Sequence, residues 1–218
     1  MAVTVVQNVW GTNLTGTQHP AFGVNVTTGN TIVVFMIKMS GASTDWLCSD
    51  AVNGSYDAWV PWGTYGREMS VARKRNVTGG FTVVDITSAG GTITGDFIVM
   101  ELAGAHNTDA WTSDTIDETG LTSHVCATTG LTGTGLFVGM GNFGSATDIT
   151  NGSGWTQGNN TTANGGVIQY KIENGTLEKS PYTTADAIND TGHLSFIPEG
   201  PAPPSAVPFL TLLSAKRI

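Results

Sequence analysis

Thr31-Ile32-Val33-Val34-Phe35-Met36-Ile37 is an unbroken apolar run, rich in β-branched side chains, that starts after the Gly29-Asn30 step. Such a run, with no polar alternation, suits a strand buried on both faces. It is also the longest apolar run of the chain, far short of the ~20 residues that a membrane-spanning helix needs. Working outward, Met69, Val71 and Arg73 alternate with Ser70, Ala72 and Lys74, which is the period of a half-buried strand. Phe81 to Ile86 and Phe97 to Leu102 follow, set apart by Ala89-Gly90-Gly91 and Gly95. Ser123 to Ala127, Leu136 to Met140, Val167 to Ile172 and His193 to Ile197 read as later strands. Asn53-Gly54 lies between two such segments and signals a type I′ hairpin, whose central residues need positive φ. Asn174-Gly175 reads as the end of another strand. Helix signals are confined to Thr183-Thr184-Ala185-Asp186-Ala187-Ile188, enough for one capped turn. About ten short strands joined by glycine turns make an all-β sandwich or a closed barrel.

Composition agrees with that reading. The chain has 218 residues, of which 39% are hydrophobic and 12% charged, with 29 glycines. A disordered chain would be poorer in apolar residues and more highly charged. Nine Lys and Arg against 17 Asp and Glu give a net charge of −8. The basic residues cluster only at Arg73-Lys74-Arg75 and Lys216-Arg217, too few for a phosphate-binding face, so nucleic acid is not expected as a partner. No membrane partner is expected either. Met1 to Val5 lacks the basic and apolar regions of a signal peptide. Cys48 and Cys126 have no CxxC or histidine companions, which excludes zinc and redox motifs. Buried free thiols are the default, with a disulfide between them the alternative.

The composition changes after Pro198. Residues 1–198 form the expected domain, and 199–218 form a proline-rich arm. Gly200-Pro201-Ala202-Pro203-Pro204 must be extended, because proline fixes its own φ and biases the residue before it. Beyond that spacer, Val207, Phe209, Leu210, Leu212 and Leu213 need a surface to bury against. That surface is either the chain's own domain or, as favoured here, another chain.

Several segments in order resemble a family of jelly-roll-like β-sandwich domains found in phage and prophage structural proteins and in bacterial surface proteins. They are Gly29 to Val34, the hairpin Asp50-Ala51-Val52-Asn53-Gly54-Ser55-Tyr56-Asp57, and Ala72 to Gly80 with its Asn76 and Gly79-Gly80. Phe97 to Ala105, Gly152-Ser153-Gly154-Trp155-Thr156 and Phe196-Ile197-Pro198 complete the set. The resemblance spans residues 1–198 and leaves the arm outside. It implies an all-β fold, an antiparallel β-sandwich of jelly-roll type, and a virion or cell-surface setting, to which the residues themselves add the extended Pro-rich C-terminal arm. It implies no catalytic residues.

The densest chemistry lies between Asp45 and Tyr65. Trp46, Asp57, Trp62 and Tyr65 are candidates for glycan binding, since sugars stack on flat rings and bond to neighbouring carboxylates. The competing reading packs the aromatics in the core. Asp45, Asp50 and Asp57 offer oxygen ligands for calcium, but their spacing fits no EF-hand and suits turn formation better. Asp85, Asp96 and Glu101 are the carboxylates nearest to a glycosidase pattern; Glu101 faces either the core, where it would need a partner, or solvent, the commoner place for a strand glutamate. His106 and Asp109 share a loop with no nucleophile to complete a triad. His19, His106, His124 and His193 are scattered. No catalytic residue, metal or cofactor is expected.

The resulting expectation is a non-enzymatic bacteriophage virion structural protein. It would be made in the host cytoplasm, sit on the particle as a decoration of the head or in association with the tail, and bind major capsid or tail proteins. A homo-oligomer is expected, with a trimer suited to threefold lattice positions. The alternative is a carbohydrate-binding adhesion module for host-surface or mucus glycans.

Overall fold

The computed structural model describes residues 2–12, 16–40, 46–64, 67–88, 94–106, 111–143, 148–161 and 165–201; the side chains at 39–40, 59–64, 67–68, 88, 94 and 159–161 fall outside that description. The described residues form strands and no helix. In chain order the strands are β1 (Thr4–Gly11), β2 (Thr31–Ser40), β3 (Trp46–Asp50), β4 (Gly54–Ser55), β5 (Asp57–Thr64), β6 (Arg67–Lys74) and β7 (Asp85–Ser88). They continue as β8 (Thr94–Ala103), β9 (Thr112–His124), β10 (Leu131–Asn142), β11 (Ile149–Asn151), β12 (Thr156–Thr161), β13 (Gly166–Glu178) and β14 (Tyr182–Pro198). All named pairings are antiparallel.

Three sheets result. The first has the order β1-β8-β2-β6-β5, and a small one has the order β4-β3-β7. The second large sheet runs β14-β10-β13-β12, with β11 and β9 both paired to β14. β2 sits in the middle of the first sheet, and its side chains divide by parity as a pleated strand requires. Ile32, Val34 and Met36 pack with Trp46, Cys48, Tyr56 and Ile86 from the small-sheet side. Val33, Phe35 and Ile37 pack with Leu136, Val138, Met140 and Ile168 of the second large sheet. None of the six is more than 1% exposed. The apolar run is a strand buried on both faces, inside an antiparallel β-sandwich whose first sheet is covered again on its outer side. A third cluster, including Phe137, Val167, Leu194, Phe196 and Tyr182, closes the far face of the second sheet.

Strand glycines in β10 follow from that outer layer. A Cβ at Gly139 would collide with Ser180 and Cys126, and one at Gly141 with the Tyr182 ring. The 179–181 turn lies directly on the strand, where only a missing side chain lets it approach. Gln169 Nε2 fixes the turn by donating to Ser180 Oγ and to Pro181 O, each at 2.9 Å.

Several local expectations need correction. The 183–188 segment lies within β14 and is not a helical turn. β13 runs through Asn174-Gly175 to Glu178, with Gly175 at φ 82°. The β3–β4 hairpin forms, but only Gly54 has positive φ, because the loop is three residues long (51–53) and is followed by a left-handed glycine that opens β4. The two cysteines lie in different clusters and are free and buried. Burial pushes the Cys48 thiol up to about 12 and raises that of Cys126 further. After β14 the chain stays bonded through residue 200, where Gly200 N donates to Gly104 O at 2.7 Å. The anchor residues Val207, Phe209, Leu210, Leu212 and Leu213 lie outside the described residues.

Glu101 is the largest departure. It is fully buried on β8, not turned to solvent. Its Oε1 accepts from Thr27 N at 2.9 Å and Asn30 Nδ2 at 2.6 Å, and its Oε2 from Gln7 Nε2 at 2.5 Å. A buried carboxylate is tolerated when donors surround it, and here it pins β1 and the 24–30 loop to β8. Glu101→Gln places an NH₂ group against one of these donors. We expect a loss of about 1–3 kcal/mol, read as a lower urea midpoint at unchanged slope.

Candidate functional site

The site begins with an irregularity in strand pairing. β9 and β14 pair regularly from Thr112↔Phe196 to Asp117↔Thr191, and then the register shifts. Glu118 opposes Asp190, Leu121 opposes Ile188, and Ser123 opposes Thr183. Residues 184–187 of β14 therefore stand against Thr122 alone on the β9 side, while Thr184 pairs with Ile149 of β11 on the other. Bulges of this kind bend a strand and re-aim its side chains. Gly120, at φ 68°, makes the complementary bend in β9, and its N–H donates to Asn189 Oδ1 at 3.0 Å.

The bend brings together groups that a flat strand would separate. Residues six apart on a strand lie about 20 Å from each other, yet Glu118 Oε2 is 3.1 Å from His124 Nδ1. The same Oε2 accepts from Val125 N at 3.2 Å. Asp190, 2% exposed, adds a second carboxylate, and one ligand atom from each of Glu118, His124 and Asp190 lies within 4.8 Å of the others. The His124 ring is buried and stacks on Tyr182 with centroids 5.1 Å apart. The Tyr182 hydroxyl is buried beside Asp190. Burial, and then the Asp190 charge, hold that phenol well above its ordinary range.

Proton bookkeeping fixes the orientation of His124. Thr184 Oγ1 donates its one proton to Asp186 O at 2.8 Å. It must therefore accept from His124 Nε2, 3.2 Å away. Nδ1, on the other side of the ring, then turns toward Glu118 Oε2, an oxygen that also accepts from Val125 N. Against this cluster lies an open cavity of about 430 Å³. Its walls are Ser123, His124 and Val125, Thr150 to Ser153, and Pro181 to Thr183.

The residues singled out from sequence assemble elsewhere or not at all. Trp46 is a core side chain, 5% exposed among Ile86 and Cys48, so it offers no ring for a sugar. Asp57 is exposed on β5. Trp62 lies on the same strand with its side chain outside the description, and Tyr65 and Asp45 lie outside the described residues. Asp50 is a turn former, accepting from Val52 N, Asn53 N and Tyr56 Oη at 2.7, 2.6 and 2.9 Å. Asp85 meets His19 Nδ1 at 2.6 Å on the surface. Glu118, Tyr182 and Asp190 escape a sequence reading because a shifted register, not spacing, unites them with His124. Comparisons of the chain with protein-family models, with curated proteins and with solved structures return no match.

Three residues beyond Asp190, His193 is fully buried and bonds through Nε2 to Ser195 Oγ at 2.8 Å. Burial lowers its pKa from 6.5 to about 4. The unfolded chain therefore takes up the proton first, so the contribution to stability is complete above pH 6.5 and is lost as pH falls toward 4. We expect His193→Gln to flatten stability against pH in that window by about 3 kcal/mol, measured as the difference between wild-type and variant urea titrations.

Proposed function

We propose that this chain is a non-enzymatic structural protein of a bacteriophage particle, placed on the surface of the head or associated with the tail. The observation that carries the reading is the outer edge of β1. This strand borders the first sheet, pairs with β8 alone among the described strands, and exposes Val6 at 46% and Trp10 at 54%. A sheet edge with apolar side chains is a template for joining another chain. The carboxylates of the first half support the same reading, because Glu101 and Asp50 are engaged as internal fasteners. Homo-oligomerisation, a trimer among the options, uses that edge in this reading. The arm beyond residue 201, with Val207, Phe209, Leu210, Leu212 and Leu213, is the anchor to capsid or tail proteins. Jelly-roll type does not enter the proposal, since the two large sheets draw their strands from successive halves of the chain.

Removal of residues 202–218 should leave the melting temperature unchanged and abolish co-sedimentation with assembled particles. Normal incorporation of that truncated chain refutes the anchor.

β5 is the other edge of the same sheet and carries both Asp57 and Trp62. That placement favours a second reading, a carbohydrate-binding adhesion module at this rim. It predicts that Trp62→Ala weakens retention on a glycan array with no change in melting temperature; absence of binding by the wild-type chain at millimolar glycan removes the reading.

A further inference from the structure

We infer that Glu118, His124 and Asp190 bind a divalent transition-metal ion that clasps the bent β9–β14 ribbon. The inference is independent of the proposed particle role and assigns the ion a structural task, not a catalytic one.

Three observations converge on it. Glu118 and Asp190 stand directly opposite each other on paired strands, a like-charge arrangement that a cation between them would relieve. Asp190 is 2% exposed and the His124 side chain is fully buried, so most of the cluster is withdrawn from bulk water. His124 Nδ1 faces the Glu118 carboxylate at 3.1 Å while Nε2 meets Thr184 Oγ1 at 3.2 Å, so the ring is held with one nitrogen turned into the cluster. A metal ion satisfies the nitrogen lone pair and both carboxylates at once.

Geometry and donor chemistry narrow the ion. Zinc binds imidazole nitrogen and carboxylate oxygen at about 2.0–2.2 Å, so neighbouring ligand atoms sit about 3–3.5 Å apart. The Nδ1–Oε2 separation already falls in that range. One nitrogen and two oxygens suit Zn²⁺ or Mn²⁺; calcium asks for six to eight oxygens, and Cu(I) for sulfur. Of the three ligands, His124 also lines the adjoining cavity, beside Tyr182. Thr184 is the outer partner that orients the imidazole, a common companion of metal-binding histidines.

The test is calorimetric titration of ZnCl₂ into the full chain after treatment with a chelator. One site per chain is expected, with a higher melting temperature in saturating zinc. Glu118→Gln and Asp190→Asn should each weaken binding by more than about tenfold, as loss of a ligand must if second-shell changes alone cost about 10–100-fold. His19→Ala, which removes the surface His19–Asp85 pair, should leave binding intact. On the wild-type protein, imidazole ¹⁵N spectra should show the His124 Nδ1 resonance move on zinc addition while Nε2 keeps its proton. No binding at millimolar zinc, binding that survives Glu118→Gln, loss of binding in His19→Ala alone, or a His124 ring still protonated on both nitrogens at saturation would each overturn the site.

Discussion

A strand that is apolar at every position has no face to offer water. β2 obeys this constraint, and the rest of the architecture follows from it. Ile32, Val34 and Met36 on one side and Val33, Phe35 and Ile37 on the other each require a covering layer. Hydrophobic burial gains about 1.5–3 kcal/mol per large side chain, so leaving either face open would forfeit several such terms. One cover comes from the second large sheet. The other comes from the small sheet and the segments carrying Phe22, Val26, Phe81 and Val84. With both of its faces occupied, the first sheet exposes only its edges, which is why β1 and β5 carry whatever this sheet presents to other molecules.

Covering layers built from loops bring polar groups with them, and these must find partners away from water. Glu101 gathers donors from Gln7, Thr27 and Asn30, which bind the covering loop to the sheet beneath it. Asn142 Nδ2 donates to Lys38 O at 2.7 Å across the interface between the large sheets. Asp114 plays a similar part at the 128–130 turn. Partial burial works to raise its carboxyl, but donors from Thr129, Gly130 and Thr115 outweigh it and hold the group below its usual range. These acids fasten turns and loops in place, and their chemistry is used up in doing so.

Much of the layer plan was legible in the residues. The 32–37 run announced its two buried faces, and the alternation in 69–74 located β6 but understated its burial, since Met69 and Val71 enter one cluster and Ala72 the other. What could not be read was anything that depends on register. The Thr183–Ile188 stretch has the composition of a capped helical turn, yet pairing with β9 absorbs it as a wide bulge, because tertiary context overrides a weak local preference. Glu101 looked like a solvent-facing strand residue because its donors lie 71 to 94 residues away in sequence. Trp46 stood among polar residues that suggested a sugar site, and parity along β3 put it in the core instead. Glu118, His124 and Asp190 carry no spacing motif at all.

The contrast between the two halves of the chain has a physical reason. In the first half, Asp50 and Glu101 accept from backbone N–H groups of nearby loops and from neighbouring side chains. On the β9–β14 ribbon, the bend places two acids and an imidazole where few backbone donors are left over, since strand pairing already engages most of them. Val125 N supplies one bond to Glu118, and Thr184 takes the Nε2 proton of His124. The ribbon has no shorter route to relax: straightening it would separate Glu118 from His124 and pull Tyr182 off its stacking partners His124 and Phe143. The bend and the cluster therefore stand or fall together, and any group that neutralises the cluster also fixes the shape of the ribbon.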